Sequence, residues 1–156
     1  MRQIAVPLAA GLMLAAGGAC AETAPGDVAF DQGAVVLSLT GAPGDPAAGA
    51  RVMADRSLGN CVACHQVSSL PAEFQGTIGP PLDGAGSRWD EPQLRGIVVD
   101  AKHIFEGSMM PSFYKTGPFI RPGDAYTGKA AKGALPPILT AAEIEDVVAY
   151  LRTLKD

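Results

Sequence analysis

The stretch Cys61-Val62-Ala63-Cys64-His65 decides how the rest of the chain is interpreted. Two cysteines three positions apart, followed at once by a histidine, form the C-x-x-C-H pattern of c-type haem attachment. On one helical turn, both sulfurs can reach the two vinyl groups of a porphyrin, and the histidine can then lie under the iron. The pattern therefore predicts one covalently bound haem c, attached through Cys61 and Cys64, with His65 as the proximal iron ligand.

Two other chemistries also use closely spaced cysteines. A thioredoxin-like redox pair usually lies at a strand-to-helix junction in a βαβ unit, and no such alternation of strand and helix patterns is evident here. A zinc site needs four ligands and usually a second ligand pair, but the chain has only one further histidine, His103. The pattern favours haem over both alternatives.

A second axial ligand is expected on the iron, and histidine and methionine are the usual choices. The candidates are Met53, Met109, Met110 and His103. Met53 lies in a predicted helix and is expected in the core, and His103 is expected at a helix end. Met110 precedes Pro111, which restricts the backbone before it, so Met110 is the predicted distal ligand and Met109 the alternative.

The proximal histidine is expected to donate its second ring N–H to a carbonyl group, because that bond sets the tautomer of a metal-binding histidine. The segment Gly79-Pro80-Pro81-Leu82 follows the attachment motif at a suitable distance. We therefore predict the Pro80 carbonyl as the acceptor.

The N-terminus has the pattern of a secretory signal peptide. Arg2 is a short basic start, Ile4–Ala16 is apolar, and Ala19-Cys20-Ala21 matches an A-x-A cleavage site. Residues 1–21 are therefore predicted to be removed on export. The apolar stretch is short for a membrane span, although a retained anchor and a lipid attached to Cys20 are alternatives.

Composition limits the class of protein. Glycine (19) and proline (13) are frequent and aromatic residues make up only 6%, so much of the chain is expected in loops around a core that a large apolar cofactor would help to fill. The formal net charge is −4, which argues against a general nucleic-acid-binding protein.

Helix signals occur at three places. Asp45-Pro46 suits a helix start, and that helix is predicted to run to about Arg56. Asp90 can cap a second helix, whose predicted apolar face is Leu94, Ile97 and Val98. The strongest signal is the capping box that begins at Thr140 and is followed by apolar residues at helical spacing: Ile144, Val147, Val148, Leu151 and Leu154.

The remaining segments are predicted as loops. Residues 66–88 and 107–139 are rich in glycine and proline, and residues 22–44 are expected to form an extended N-terminal arm. The chain is thus predicted to be an all-α protein: a small helical domain, residues 45–156, around one haem, with the arm before it and a long loop before its C-terminal helix.

At these residues the chain resembles class I cytochromes c and, more narrowly, the SoxX family. The matching stretches are Leu39–Asp45, Gly59–His65, Gln75–Leu82, Met110-Pro111 and Leu139–Leu151. Together they cover nearly the whole chain after the predicted signal peptide.

This resemblance implies a function in the periplasm. SoxX-like cytochromes form a heterodimer with a SoxA subunit, and the SoxAX complex oxidatively joins thiosulfate to a cysteine of the SoxYZ carrier protein, an L-cysteine S-thiosulfotransferase activity. The catalytic haem belongs to SoxA, so the resemblance implies no catalytic residue in this chain. It implies an electron-transfer subunit that passes electrons to a soluble cytochrome, with Cys61, Cys64, His65 and Met110 holding the haem. A free-standing mono-haem carrier is the alternative function, and a non-haem thiol or metal module is a third.

Overall fold

The computed structural model describes residues 21–120, 122 and 128–156, so nearly all of the predicted signal peptide lies outside the described residues. Within them, regular structure is helical, apart from isolated bridge residues such as Asp31 and Ala34, which pair with each other. The α-helices are α1 (Pro46–Ala54), α2 (Ala85–Arg88), α3 (Glu91–Asp100) and α4 (Ala141–Thr153). Short 3₁₀ turns occur at Pro25–Asp27, Cys61–Ala63 and Ala101–His103. The prediction of an all-α fold is confirmed.

Helix α1 begins as predicted and ends earlier. The Asp45 carboxylate accepts a hydrogen bond from the Ala47 N–H (2.8 Å) and caps the start. The helix ends at Ala54 rather than near Arg56, because the Asp55 carboxylate instead accepts bonds from the N–H and hydroxyl of Ser57. This local bonding competes with continuation of the helix.

Both other predicted helix starts are confirmed as complete capping boxes. In α3, Asp90 and Gln93 exchange side-chain-to-backbone bonds, and in α4 Thr140 and Glu143 do the same. These bonds satisfy N–H groups that have no partner within the first helical turn.

Helix α4 forms the centre of the core and packs against α1, α2 and α3. The residues predicted for its apolar face are all buried: Ile144, Val147, Val148, Leu151 and Leu154. Gly49 of α1 lies so close to the α4 backbone that a side chain there would collide with the Asp146 carbonyl. The absence of a side chain at position 49 thus lets the two helices pack closely.

Two expectations were wrong in detail. The predicted loop 66–88 ends in helix α2, which the sequence pattern did not indicate. This short helix depends on tertiary contact, since the Gly86 N–H donates to the Leu154 carbonyl just after α4 (2.9 Å). In α3, Ile97 is only half-buried, whereas Arg95 is buried.

Arg95 is buried because it pairs with Glu145 of α4. The two side chains are 2% and 4% exposed, and the guanidinium donates to both carboxylate oxygens at 2.8 and 3.0 Å. Burial by itself lowers the pKa of Arg95, but the bonds and charge of Glu145, and then those of Glu91, outweigh it and raise that pKa. Arg95 therefore stays charged inside the protein.

The same ion pair holds the N-terminal arm against the helices. Arg95 donates to the Val35 carbonyl (2.9 Å), and the Leu39 N–H donates to Glu145 (2.8 Å). Val35 and Leu39 are buried, whereas Val36 and Leu37 are largely exposed. The arm is thus part of the folded unit. Over the described ranges, no helix is both long enough and apolar enough to cross a membrane.

Candidate functional site

The attachment motif forms a single tight turn. The Asn60 backbone is left-handed (φ 46°), after which the N–H groups of Cys64 and His65 both donate to the Cys61 carbonyl (3.1 and 3.0 Å). Val62 is buried and anchors the turn in the core, while Cys61 and Cys64 are half-buried and form no disulfide. Both sulfurs and the imidazole therefore belong to one turn, at positions 61, 64 and 65.

Cys61 does not have the environment of a reactive thiol. Burial raises the pKa of the Cys61 thiol to about 12, so an unattached Cys61 stays a thiol. Thiol–disulfide exchange requires the thiolate. In the part of the chain that the structure describes, no group of three or more His, Cys, Asp or Glu side chains is arranged to hold a metal.

His65 is oriented as the sequence predicted. Its Nδ1 lies 2.7 Å from the Pro80 carbonyl oxygen. Because a carbonyl only accepts, Nδ1 carries the proton, and Nε2 keeps its lone pair for a metal. The Gly79 N–H donates to the Cys64 carbonyl (2.8 Å), and a side chain at position 79 would collide with the imidazole ring.

Cross-bonds brace the loop that carries Pro80. The Gln75 side chain accepts from the Val67 N–H (2.6 Å) and donates to the carbonyls of Val67 and Leu70 (3.1 Å each). The Asp83 carboxylate accepts from both the N–H and the hydroxyl of Ser68 (3.0 and 2.7 Å). The predicted loop is thus a well-ordered structure, and its glycine and proline content did not indicate these bonds.

The two methionines of the predicted distal segment differ in exposure. Met109 is 79% exposed, whereas Met110 is half-buried and packs against the same hydrophobic core as Cys61. The Met110 N–H donates to the Ser108 hydroxyl (3.2 Å), and its carbonyl accepts from the Lys102 ammonium (2.6 Å). The contribution of Lys102 was not foreseen from the sequence.

The other two ligand candidates are engaged elsewhere. Met53 is fully buried in α1. His103 ends the third 3₁₀ turn, as expected, and its ring stacks on Phe30 with centroids 3.7 Å apart.

The chain is similar to known proteins. The family model for cytochrome c matches residues 46–155. One chain of the crystal structure of SoxXA from P. pantotrophus is 61% identical, with a TM-score of 0.84; the match covers 87% of this chain and 100% of that chain. The c-type cytochrome SorU from Sinorhizobium meliloti is 25% identical over 70% of this chain and 88% of its own, with a TM-score of 0.43. No curated protein matches the chain.

The chain belongs to the cytochrome c family. Within that family, its identity to the SoxXA chain shows that it is a member of the SoxX family. Haem c is therefore its cofactor. The residues suit the group, since two unpaired sulfurs and an imidazole with a free Nε2 lie on one turn.

Proposed function

We propose that this chain is the mono-haem electron-transfer subunit of a SoxXA-type complex. In that complex, a second cytochrome subunit oxidatively couples thiosulfate to a cysteine of a carrier protein, and this chain passes the electrons to a soluble cytochrome. The observation that carries the proposal is the 61% identity over the whole of one chain of SoxXA. A free-standing carrier is the alternative, but the likeness to a subunit of a complex favours the first function.

The haem is held by four residues of this chain in our proposal. Cys61 and Cys64 form the thioethers, His65 is the proximal ligand and Met110 the distal ligand. When bound, the haem supplies one-electron chemistry at its iron. The Pro80 carbonyl accepts a hydrogen bond from His65 Nδ1, which makes the imidazole a stronger ligand for the iron through Nε2. A methionine ligand on the other side favours a raised reduction potential.

The chain is further proposed to act in the periplasm after removal of residues 1–21, with residues 22–44 as the arm and 45–156 as the cytochrome domain. The part of this chain without a counterpart in the SoxXA match is similar in size to the proposed signal peptide. Tyr114 supports an ordered start at position 22, since its hydroxyl donates to the Glu22 carboxylate (3.0 Å) and the Thr23 carbonyl (2.7 Å).

The function can be tested by following electrons into this chain. The haem-loaded chain is mixed with thiosulfate and a reduced carrier protein, with and without a SoxA-type subunit, and the ferrous haem spectrum is recorded. We expect the haem of this chain to be reduced only when all components are present. Equal reduction without the second subunit, or no association with it, would contradict the proposal and favour a free-standing carrier.

The distal ligand has a spectroscopic test. Ferric haem with a methionine sulfur ligand has a weak far-red absorption band. We expect Met110→Ala to abolish the band and Met109→Ala, a matched change at the neighbouring exposed position, to preserve it. The opposite result would assign the ligand to Met109, and loss of the band in neither variant would exclude both.

A further inference from the structure

The carbonyl group of Met110 is held by a cation that lies outside its own loop. Lys102 donates to it at 2.6 Å, and charge-assisted bonds of this length are stronger than neutral ones. The Met110 N–H is held within the loop by the Ser108 hydroxyl. Pro111, the next residue, has no N–H with which to form a further backbone bond. The bond from Lys102 to the Met110 carbonyl therefore connects this segment to the body of the domain.

Lys102 is itself well anchored. It lies in the 3₁₀ turn Ala101–His103, which continues directly from α3. Asp100 caps that turn by accepting from the Lys102 N–H (3.2 Å), and its carboxylate also lies 3.8 Å from the Lys102 ammonium. Ala101 is buried. The lysine therefore extends from a fixed base, with a neighbouring carboxylate that limits its freedom.

We propose that Lys102 is a positioning residue for the distal haem ligand: by holding the Met110 carbonyl, it keeps the methionine sulfur at the iron. This inference rests on the proposed function in taking Met110 as the ligand. The iron–thioether bond is weak and competes with added ligands, so the energy that holds the methionine backbone sets how often the sulfur leaves. In this proposal Lys102 acts only through the Met110 backbone and is not itself a ligand.

Imidazole, which can replace methionine on ferric haem, is the probe of this proposal. The haem-loaded full chain is titrated with imidazole, and the far-red band measures the remaining methionine ligation. Because Lys102 is 45% exposed and solvent weakens its bond, we expect Lys102→Met to raise the apparent imidazole affinity about tenfold. Lys102→Arg keeps a charged donor, and its imidazole affinity is expected to be near that of the original chain.

The matched control is Lys132→Met, which removes an exposed lysine charge from the described part of the chain. It is expected to leave the imidazole affinity unchanged. A second measurement is thermal: Lys102→Met should lower the temperature at which the far-red band is lost and leave that of global unfolding near its original value.

The outcomes separate the two proposals. If Lys102→Met and Lys132→Met give the same imidazole affinity, or if Lys102→Met lowers only the global unfolding temperature, Lys102 has no positioning role, while Met110 can still be the ligand. If Met110→Ala leaves the far-red band in place, both the ligand assignment and the role of Lys102 are overturned. The role in a SoxXA-type complex is tested separately, by electron transfer from the second subunit.

Discussion

The two sides of the haem site are built differently. On the proximal side, the His65 ring is held by the Pro80 carbonyl and pressed against the Gly79 backbone, in a loop that the Gln75 side chain braces with three bonds to the main chain. On the proposed distal side, Met110 is held by two single side-chain bonds, from Lys102 and to Ser108.

This difference indicates which ligand is easier to displace. His65, the proposed proximal ligand, directly follows Cys64, a proposed attachment point, and its ring is fixed by main-chain groups of Pro80 and Gly79. Replacing one neighbouring side chain is therefore not expected to release it. Met110, the proposed distal ligand, depends on two side chains, and each can be removed by one substitution. We therefore expect ligand exchange at the distal side while the proximal bond persists.

The largest effect is expected from a change in the helical core, which should lower the stability of the whole domain without altering either side of the proposed haem site in the folded protein. Arg95→Leu leaves the Glu145 carboxylate buried without its cation, at a cost of about 3–5 kcal/mol in the free energy of unfolding. Denaturant unfolding of the haem-loaded protein measures this loss. Where the variant is folded, we expect its far-red band to be normal.

The control for this change is Arg56→Leu, at an exposed position, where an effect within about 0.5 kcal/mol is expected. A loss below about 1 kcal/mol for Arg95→Leu would mean that Glu145 finds other partners. A missing far-red band in folded Arg95→Leu protein would mean that the core and the distal side are coupled.

A change on the proximal side should have the next largest effect. In Gly79→Ala the new methyl group collides with the His65 imidazole, and overpacking of this kind costs about 2 kcal/mol. Thermal unfolding of the haem-loaded protein is the measurement, with Gly26→Ala as the control because position 26 has open space around it. Equal stability of the two variants would show that the proximal loop is more pliable than its bonds indicate.

The smallest effect is expected from Ser108→Ala, in the segment that carries Met110. Ser108→Ala removes a single neutral bond to the Met110 N–H, a loss of about 0.5–1 kcal/mol. We expect the apparent imidazole affinity of the ferric protein to rise about threefold, with global stability unchanged. Ser112→Ala, two residues after Met110, is the control. An equal change in imidazole affinity in both variants would mean that the Ser108 bond does not hold Met110 in place.

Features that depend on neighbours in the chain were predicted correctly from the sequence. The helices that follow Asp45, Asp90 and Thr140 begin where a side chain accepts a hydrogen bond from a backbone N–H two or three residues later. Donor and acceptor lie within one short segment, so the local sequence is enough to predict the bond. The attachment turn is equally local, because a few consecutive residues supply both cysteines and the histidine. The Pro80 acceptor was within reach because only a short loop separates it from His65.

Tertiary structure decided what depends on residues far apart in the chain. Glu145 is buried near the start of α4 because Arg95, on another helix, pairs with it. Helix α2 forms against the end of α4. Lys102 reaches the Met110 carbonyl only because the turn after α3 packs against the segment that carries Met110. Burial and pairing of charges are properties of the packed chain, since the partner that makes a buried charge tolerable can be supplied by any element that packs against it.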